Sequence, residues 1–176
     1  VKSSPPKILD FKHEHARGYC AEFLKSTNDS GCSRFSEEAV AHFKNGVSRK
    51  FFCKGHDSMR EFSKALELEP QFANAAIMMA KESVFSTNPE NGERIITKAI
   101  SLLPNRVSLF RARASLRLEQ GKIEEALADM NYAIEHERTS GYSYINRGYC
   151  YSQLGMHKEA LADMESAFKF VPDKNS

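Results

Sequence analysis

The spacing of three similar segments constrains the fold of this chain more than any other feature of its sequence. Residues 64–70, 98–104 and 166–172 each run from a polar residue through alanine and larger apolar residues to a proline. The third proline follows the second at twice the interval that separates the first two, and residues 132–138 fill the gap with arginine in place of proline. A fixed period of about 34 residues indicates stacked copies of one supersecondary unit, because a single unit cannot bury its own apolar face.

The phase of this pattern divides the chain into four repeats that start near Ala39, Ala73, Val107 and Gly141. We assign them to residues 39–72, 73–106, 107–140 and 141–174, as one continuous domain behind an N-terminal helix and loop at residues 1–38. Small residues recur at positions eight, twenty and twenty-seven of a repeat, where two helices can approach closely. In the last repeat these are Gly148, Ala160 and Ala167.

The ends of the helices are also marked in the sequence. Gly121 and Gly155 stand at position fifteen, where a left-handed residue ends the first helix of a pair. Proline at position thirty-two ends the second helix. In the first repeat the glycine comes late, at Gly55, so we expect a first helix that extends to about Cys53 and a second helix capped by Asp57.

With these small residues, glycines and prolines in phase, residues 39–174 resemble the tetratricopeptide repeat family. The resemblance implies an all-α fold, a right-handed α-solenoid of antiparallel helix pairs, here with an extra N-terminal helix. It also implies protein–protein interaction as the function, with a partner lying in a concave groove lined by the first helix of each repeat.

Residues 1–38 fit the repeat poorly. Ala16, Cys20, Phe23 and Leu24 nevertheless share one helical face, which predicts a helix over about residues 7–26, followed by a loop at residues 28–34. No polar capping element follows Pro172, so we expect either that the native protein continues or that an apolar face stays open. An open face would allow a homo-oligomer to form through the C-terminal end.

The composition and the motifs of the chain argue against an enzymatic function. The 25 basic and 23 acidic residues nearly cancel, and no apolar run is long enough to cross a membrane. The four cysteines lack paired spacing, which favours reduced thiols in a cytoplasmic or nuclear protein. His13, His15, Cys20 and Cys32 are spaced too irregularly for a zinc site. We therefore expect no catalytic residues, no metal, no cofactor and no membrane partner.

The resemblance places positions two, five, nine and twelve of each first helix in the groove. Together with Asn146 at position six, the polar and aromatic residues proposed to contact a partner are Lys50, Asn74, Lys81, Ser108, Arg111, Ser115, Tyr142, Asn146 and Tyr149. A well-known branch of the family grips acidic chaperone tails with a clamp of lysine, asparagine and arginine at set positions. None of the three possible frames supplies that clamp here, which disfavours a co-chaperone.

Charge is distributed unevenly between the two kinds of helix. The first helices and their edges carry ten basic and two acidic residues, a balance of +8, while the second helices carry seven basic and fourteen acidic residues, a balance of −7. This favours an acidic, partly apolar protein or peptide in the groove, although the charges could simply cover solvated faces. RNA binding by the basic first helices is an alternative, disfavoured by the few aromatics there. Arg113 and Arg117, at positions usually held by Leu and Tyr, are interpreted as stabilising residues that pair with acids such as Glu82.

Overall fold

The computed structural model describes residues 35–51, 55–85 and 88–170. Within these ranges the regular structure is helical throughout, which confirms the predicted all-α class. The helices, in chain order, are α1 (Glu37–Phe51), α2 (Gly55–Leu68), α3 (Ala73–Phe85), α4 (Pro89–Leu102), α5 (Val107–Glu119), α6 (Ile123–His136), α7 (Gly141–Gln153) and α8 (His157–Phe168).

The chain divides into two compact units, Val1–Asn88 and Pro89–Ser176, here called unit 1 and unit 2. The described part of unit 1 consists of α1, α2 and α3, which pack around phenylalanine side chains. The ring centroid of Phe43 lies 4.9 Å from that of Phe72 and 5.9 Å from that of Phe62, and Phe35 stacks on Phe72 at 4.4 Å. Phe43, Phe62 and Phe72 are almost completely buried. Because aromatic side chains bury large apolar areas, these rings dominate the packing of unit 1.

A glycine allows α1 and α2 to approach closely. A Cβ atom added at Gly46 would lie 2.5 Å from Cε1 of Phe62, well inside van der Waals contact. Position eight of the first repeat therefore needs a residue without a side chain, as the repeat pattern predicts.

Unit 2 contains α4 to α8 and has a core of smaller side chains. Ala114 on α5, Ala126 and Met130 on α6, and Cys150 on α7 form a fully buried cluster. Gly121 and Gly155 both adopt φ of +74°, a left-handed conformation that costs other residues strain, and they join α5 to α6 and α7 to α8. The prediction that these two glycines end first helices is confirmed.

The helix boundaries follow the period of the sequence. α3, α5 and α7 begin at Ala73, Val107 and Gly141, the residues at which the second, third and fourth repeats start, and α2 and α4 end two residues before Pro70 and Pro104. The prediction for Asp57 is wrong, since α2 already begins at Gly55 and Asp57 lies in its first turn. The carboxylate of Asp57 pairs instead with the guanidinium of Arg49 at 3.0 Å.

Several predictions fall outside the described residues. They are the helix over residues 7–26, the loop at residues 28–34, the ends of the first helix at Cys53 and of the last repeat at Pro172, and the pattern of His13, His15, Cys20 and Cys32. Among the residues that the structure does describe, no group of three or more histidine, cysteine or acidic side chains could hold a metal ion. Over the same residues, no helix has the length and apolarity needed to cross a membrane.

Candidate partner-binding site

Two of the predicted site residues, Tyr142 and Tyr149, share one exposed face of α7 with Ile145, which stands at groove position five. Tyr142, Ile145 and Tyr149 occupy positions i, i+3 and i+7, and 53%, 48% and 50% of each residue is exposed. Residues at this spacing share one face of a helix. Large apolar side chains are seldom left half exposed in a row without a reason, because burying each of them would stabilise the fold. We call these three residues the α7 stripe.

Hydrogen bonds connect the α7 stripe to α5. The hydroxyl groups of Ser115 and Tyr142 lie 2.8 Å apart, and the Ser115 hydroxyl is also 3.1 Å from the carbonyl oxygen of Arg111, to which it can donate. The Asn146 side-chain amide donates to the carbonyl of Tyr142 at 2.9 Å. The structure therefore brings four predicted site residues together, Arg111, Ser115, Tyr142 and Asn146, on adjacent first helices of unit 2.

Two other predicted site residues, Ser108 and Arg111, lie on α5. The Ser108 hydroxyl is buried and makes no hydrogen bond with any described residue. The Arg111 guanidinium lies 3.2 Å from the carboxylate of Glu137, and the side chain of Glu137 is 42% exposed. The side chain of Arg111 is 21% exposed, so the pair is partly accessible to water, and solvent-accessible pairs contribute modestly to stability. An incoming carboxylate could therefore replace Glu137 at Arg111 at a low cost.

The other predicted site residues belong to unit 1 and have different surroundings. Lys50 donates to the buried carboxylate of Glu82, which also accepts a hydrogen bond from Ser58 at 3.3 Å. Asn74 is half-buried, and Lys81 is exposed. Lys50 is thus committed to a structural ion pair, and Lys81 is the more accessible cation in this group.

The arginines at position seven of the third and fourth repeats make matching contacts within unit 2. Arg113 donates to both carboxylate oxygens of Asp129 at 2.7 and 2.9 Å, and Arg147 does the same to Asp163 at 2.7 Å for both bonds. Bidentate pairs of this geometry are among the strongest hydrogen bonds in proteins. Burial lowers the pKa of Arg113, but the hydrogen bonds with Asp129 have the larger effect and raise its pKa above the ordinary value.

Each of these arginines also reaches the preceding second helix. Nη1 of Arg113 lies 3.4 Å from the hydroxyl of Thr97 on α4, and Nη1 of Arg147 lies 3.1 Å from the side-chain oxygen of Asn131 on α6. One arginine therefore ties its own repeat to the repeat before it, and the same arrangement occurs twice, one period apart.

A second network joins α4, α5 and the start of α6. Arg117 donates to Glu93 at 2.8 Å and to Asp129 at 2.9 Å, and Lys122 donates to the other oxygen of Glu93 at 2.8 Å. Burial alone would raise the pKa of Glu93, but the hydrogen bonds from Lys122 and Arg117 and their positive charges outweigh it and lower the pKa. These contacts agree with the interpretation of Arg113 and Arg117 as stabilising residues. Their partners are Asp129 and Glu93, whereas Glu82 pairs with Lys50.

Unit 1 has its own buried ion pairs. The Nδ1 atom of His42 lies 2.6 Å from the carboxylate of Glu61, and both residues are more than nine-tenths buried. Arg49 approaches the other oxygen of Glu61 at 3.7 Å. His42, which stands where the repeat usually has a large core residue, is therefore a packed and hydrogen-bonded side chain.

These ion pairs revise the meaning of the charge pattern. Nine of the ten basic residues counted on the first helices and their edges lie in the described part of the chain. Six of these nine pair with acidic side chains of the same unit, namely Arg49, Lys50, Arg111, Arg113, Arg117 and Arg147. Much of the opposite charge on first and second helices therefore holds the two kinds of helix together. The signal for this was present in the sequence, since an arginine and an aspartate at the same separation recur one period later.

Comparison with known proteins agrees with this architecture. A sequence model of the family described as "Tetratricopeptide repeat" matches residues 141–173. The fourth helix pair of the chain is thus similar to a tetratricopeptide repeat. Relatives of the chain include human tetratricopeptide repeat protein 36, which is 34% identical over 111 residues that make up 61% of this chain and 53% of the human protein. They also include the TPR repeat-containing thioredoxin TDX of Arabidopsis thaliana, 35% identical over 79 residues that make up 45% of this chain and 21% of the plant protein.

The chain spans about half or less of the length of these relatives. The match to the thioredoxin-named protein is confined to a fifth of that protein, so the similarity concerns repeats and carries no information about catalysis.

Solved structures share the fold at low sequence identity. MamA from Desulfovibrio magneticus RS-1 has a TM-score of 0.67 and 10% identity, over 93% of this chain and 99% of that protein. YrrB, described as a tetratricopeptide repeat protein with an unusual peptide-binding site, has a TM-score of 0.64 and 18% identity, over 92% of this chain and 80% of that protein. At such identities the similarity establishes the fold of helix pairs and nothing further.

Proposed function

We propose that this chain is a protein-interaction scaffold of the tetratricopeptide repeat type, whose unit 2 binds an acidic, partly apolar segment of another protein across α5 and α7. The observation that carries the proposal is the α7 stripe, three large side chains at helical spacing that are each about half exposed. Tyrosine and isoleucine on a fixed helix offer contact area at a low entropic cost, which suits them to anchor a peptide.

The acidic character of the partner follows from the neighbours of the stripe. Arg111 lies one turn before Ser115 on α5, and its guanidinium forms a partly exposed ion pair with Glu137. A glutamate or aspartate on the partner would take the place of Glu137 and keep the charge of Arg111 compensated.

The same contacts argue against nucleic acid as the main partner. Binding to a phosphate backbone relies on lysine and arginine side chains that can each neutralise a phosphate. In this chain most of the basic side chains on the first helices already pair with carboxylates of their own unit. We therefore place RNA second to an acidic peptide, and we propose no catalytic step, cofactor or metal for the described part of the chain.

The test is direct binding of synthetic peptides to the purified chain. An array of peptides would vary glutamate and aspartate against lysine, and leucine and phenylalanine against serine, with backbone amide shifts in NMR as the readout. We expect acidic, apolar peptides to bind and to shift resonances of α5 and α7. Tyr142→Ala with Tyr149→Ala should weaken this binding by about tenfold or more.

Two controls make the result specific. Leu102→Ala removes a comparably exposed apolar side chain from α4 and should leave the affinity unchanged. Arg111→Glu should abolish the preference for acidic over basic peptides while the chain stays folded. Peptides that bind equally well with either charge, or shifts confined to other helices, would refute the proposal, and so would tight RNA binding that falls steeply with salt.

A further inference from the structure

The spacing of the α7 stripe favours one conformation of a partner that lies along it. Tyr142, Ile145 and Tyr149 stand on one helix, where they follow one another at about 4.5 and 6 Å along the axis. Side chains on one face of a second α-helix recur with the same steps, and two helices pack by interdigitating such rows. In an extended strand the side chains on one face recur at about 6.6 Å, so three of them overshoot the stripe by roughly a quarter.

The exposure of Tyr142 arises within the pair of helices α5 and α7. Its hydroxyl group lies 2.8 Å from that of Ser115 on α5, yet 53% of the residue remains exposed. Contact with α5 therefore leaves about half of Tyr142 accessible to a partner. Because the hydrogen bond already restricts its rotamer, Tyr142 would lose little conformational freedom when a partner packs on it.

The polar side chains next to the stripe are already engaged within their own helices. The side-chain amide of Asn146 donates to the carbonyl oxygen of Tyr142 at 2.9 Å, and the Ser115 hydroxyl lies 3.1 Å from the carbonyl oxygen of Arg111. An extended peptide needs new hydrogen-bond partners for the backbone N–H and C=O groups that it withdraws from water. A helix satisfies its backbone internally, so it can cover the stripe while these hydrogen bonds stay in place.

The position of Arg111 shows where the charge of such a partner would lie. Its guanidinium pairs at 3.2 Å with Glu137, which stands in the connection just before α7 begins at Gly141. Tyr142 is the second residue of α7 and Tyr149 the ninth, so Arg111 lies at the Tyr142 end of the stripe. A carboxylate that replaces Glu137 would therefore belong to one end of the bound segment.

We propose that the segment bound by unit 2 is an amphipathic α-helix that packs lengthwise on α7. A row of its apolar residues covers the α7 stripe, and a carboxylate at the Tyr142 end takes the place of Glu137 on Arg111. This inference rests on the proposed function and adds to it the conformation of the partner and the position of its charge. An extended peptide on the same residues is the competing outcome of the test.

Peptides of one composition and different order separate the two conformations. One peptide has leucine at positions i, i+3 and i+7, and the second has leucine at i, i+2 and i+4, each with one glutamate beside the leucine row. A lactam bridge on the face away from the leucines holds the first peptide as a helix. We expect this bridge to raise its affinity for the full chain about tenfold, because a preformed helix avoids the cost of ordering on binding.

A proline at the centre of the first peptide keeps the leucine spacing but breaks the helix, and it should lower the affinity about tenfold or more. The lactam bridge placed across the leucine face is the matched control, since that peptide is equally helical and should not bind. Carbon chemical shifts of the labelled peptide in the complex report its conformation directly.

The position of the charge has a separate test. Moving the glutamate from one end of the leucine row to the other should change the affinity about fivefold, and Arg111→Gln should remove that difference. Comparison of the two proteins with the same two peptides cancels any effect of the glutamate on the helicity of the peptide itself. A difference that persisted in Arg111→Gln would show that Arg111 does not receive the carboxylate.

The outcomes distinguish this inference from the proposed function. If the second peptide or the proline-containing peptide bound as tightly as the bridged helix, and still lost affinity with Tyr142→Ala and Tyr149→Ala, the proposed function would stand and a helical partner would be wrong. Chemical shifts of an extended chain in the complex would overturn the helical partner in the same way. If no peptide of either kind bound, the proposed function would fail and this inference with it.

Discussion

At the scale of single residues, the arginines at position seven decide how unit 2 holds together. The carboxylates of Asp129 and Asp163 are almost completely buried, with 5% and 6% of the side chain exposed, and each is paired with one of these arginines. Replacing a buried ion pair by apolar residues is often neutral, whereas removing one partner leaves an uncompensated charge and is costly. The two sites differ in one respect, because Asp129 also accepts a hydrogen bond from Arg117.

This difference yields a matched pair of substitutions. Arg147→Met should lower the free energy of unfolding by about 3 kcal/mol, because Asp163 then stays buried without a counter-charge. Arg113→Met should cost clearly less, since Arg117 still neutralises Asp129. Urea titration of both variants measures the difference, and Arg147→Met with Asp163→Leu should recover most of the loss. If Arg113→Met and Arg147→Met lowered the free energy of unfolding by the same amount, the prediction would be wrong.

At the scale of helices, the carboxylate of Glu93 connects α4 to α5 and to the start of α6. Its pKa is lowered in the folded protein, because the hydrogen bonds from Lys122 and Arg117 outweigh the effect of burial. A group whose pKa is lower in the folded state than in the unfolded state stabilises the fold while it is ionised in both states. The contribution of Glu93 to the free energy of unfolding is therefore complete above the ordinary pKa of a glutamate. It disappears as the pH falls through the pKa that Glu93 has in the folded protein.

The expected result for Glu93→Gln follows from this sign. At neutral pH the variant should be less stable than the unaltered chain, and the difference should shrink as the pH falls below about 4.3, the ordinary glutamate pKa. Thermal unfolding of both proteins between pH 3 and pH 7 measures the gap. Glu124→Gln, which removes an exposed carboxylate in the first turn of α6, is the control. If the stability difference between the two proteins grew as the pH fell, the pKa of Glu93 would be raised by folding, and the prediction would be wrong.

The sequence was informative about helices and less so about side chains. The period of the repeat placed the starts of α3, α5 and α7, and the glycines at position fifteen marked the turns, because backbone conformation at Gly121 and Gly155 depends on the residue itself. The partners of Arg111 and Lys50 could not be predicted, since a long flexible side chain can reach acids on several neighbouring helices. For that reason the excess of basic residues on the first helices pointed to a ligand, whereas the structure pairs most of them within their own unit.

At the scale of the whole molecule, the two units differ in the side chains that fill their cores. Unit 1 is packed around Phe43, Phe62 and Phe72, whereas the core of unit 2 consists of aliphatic side chains with Met130 and Cys150 and is flanked by bidentate arginine pairs. Repeat proteins behave as a series of elements whose stability depends mainly on nearest neighbours. A substitution that disrupts the core of one unit should therefore promote unfolding of that unit before it promotes unfolding of the whole chain.

Hydrogen exchange after a core truncation measures this locality. Phe62→Ala should cost about 3–5 kcal/mol through the lost transfer energy and the cavity, and amide protection should fall first in α1, α2 and α3. Met130→Ala is the matched variant in unit 2 and should give the opposite pattern, with the loss in α6 and α7. A uniform loss of protection along the chain in both variants would show that the chain unfolds as a single cooperative unit.

The stabilisation provided by the bidentate pairs of Arg113 with Asp129 and of Arg147 with Asp163 should depend on temperature. The hydration of charged groups becomes less favourable as temperature rises, so the desolvation penalty of a buried ion pair falls, while the stabilisation from apolar contacts levels off. The arginine pairs of unit 2 should therefore gain in relative weight towards the melting temperature, and the phenylalanine packing of unit 1 should not. Unit 1 contains ion pairs as well as its phenylalanine core, since His42 pairs with Glu61 and Lys50 with Glu82, so the balance between the two kinds of contact should shift in the same direction there.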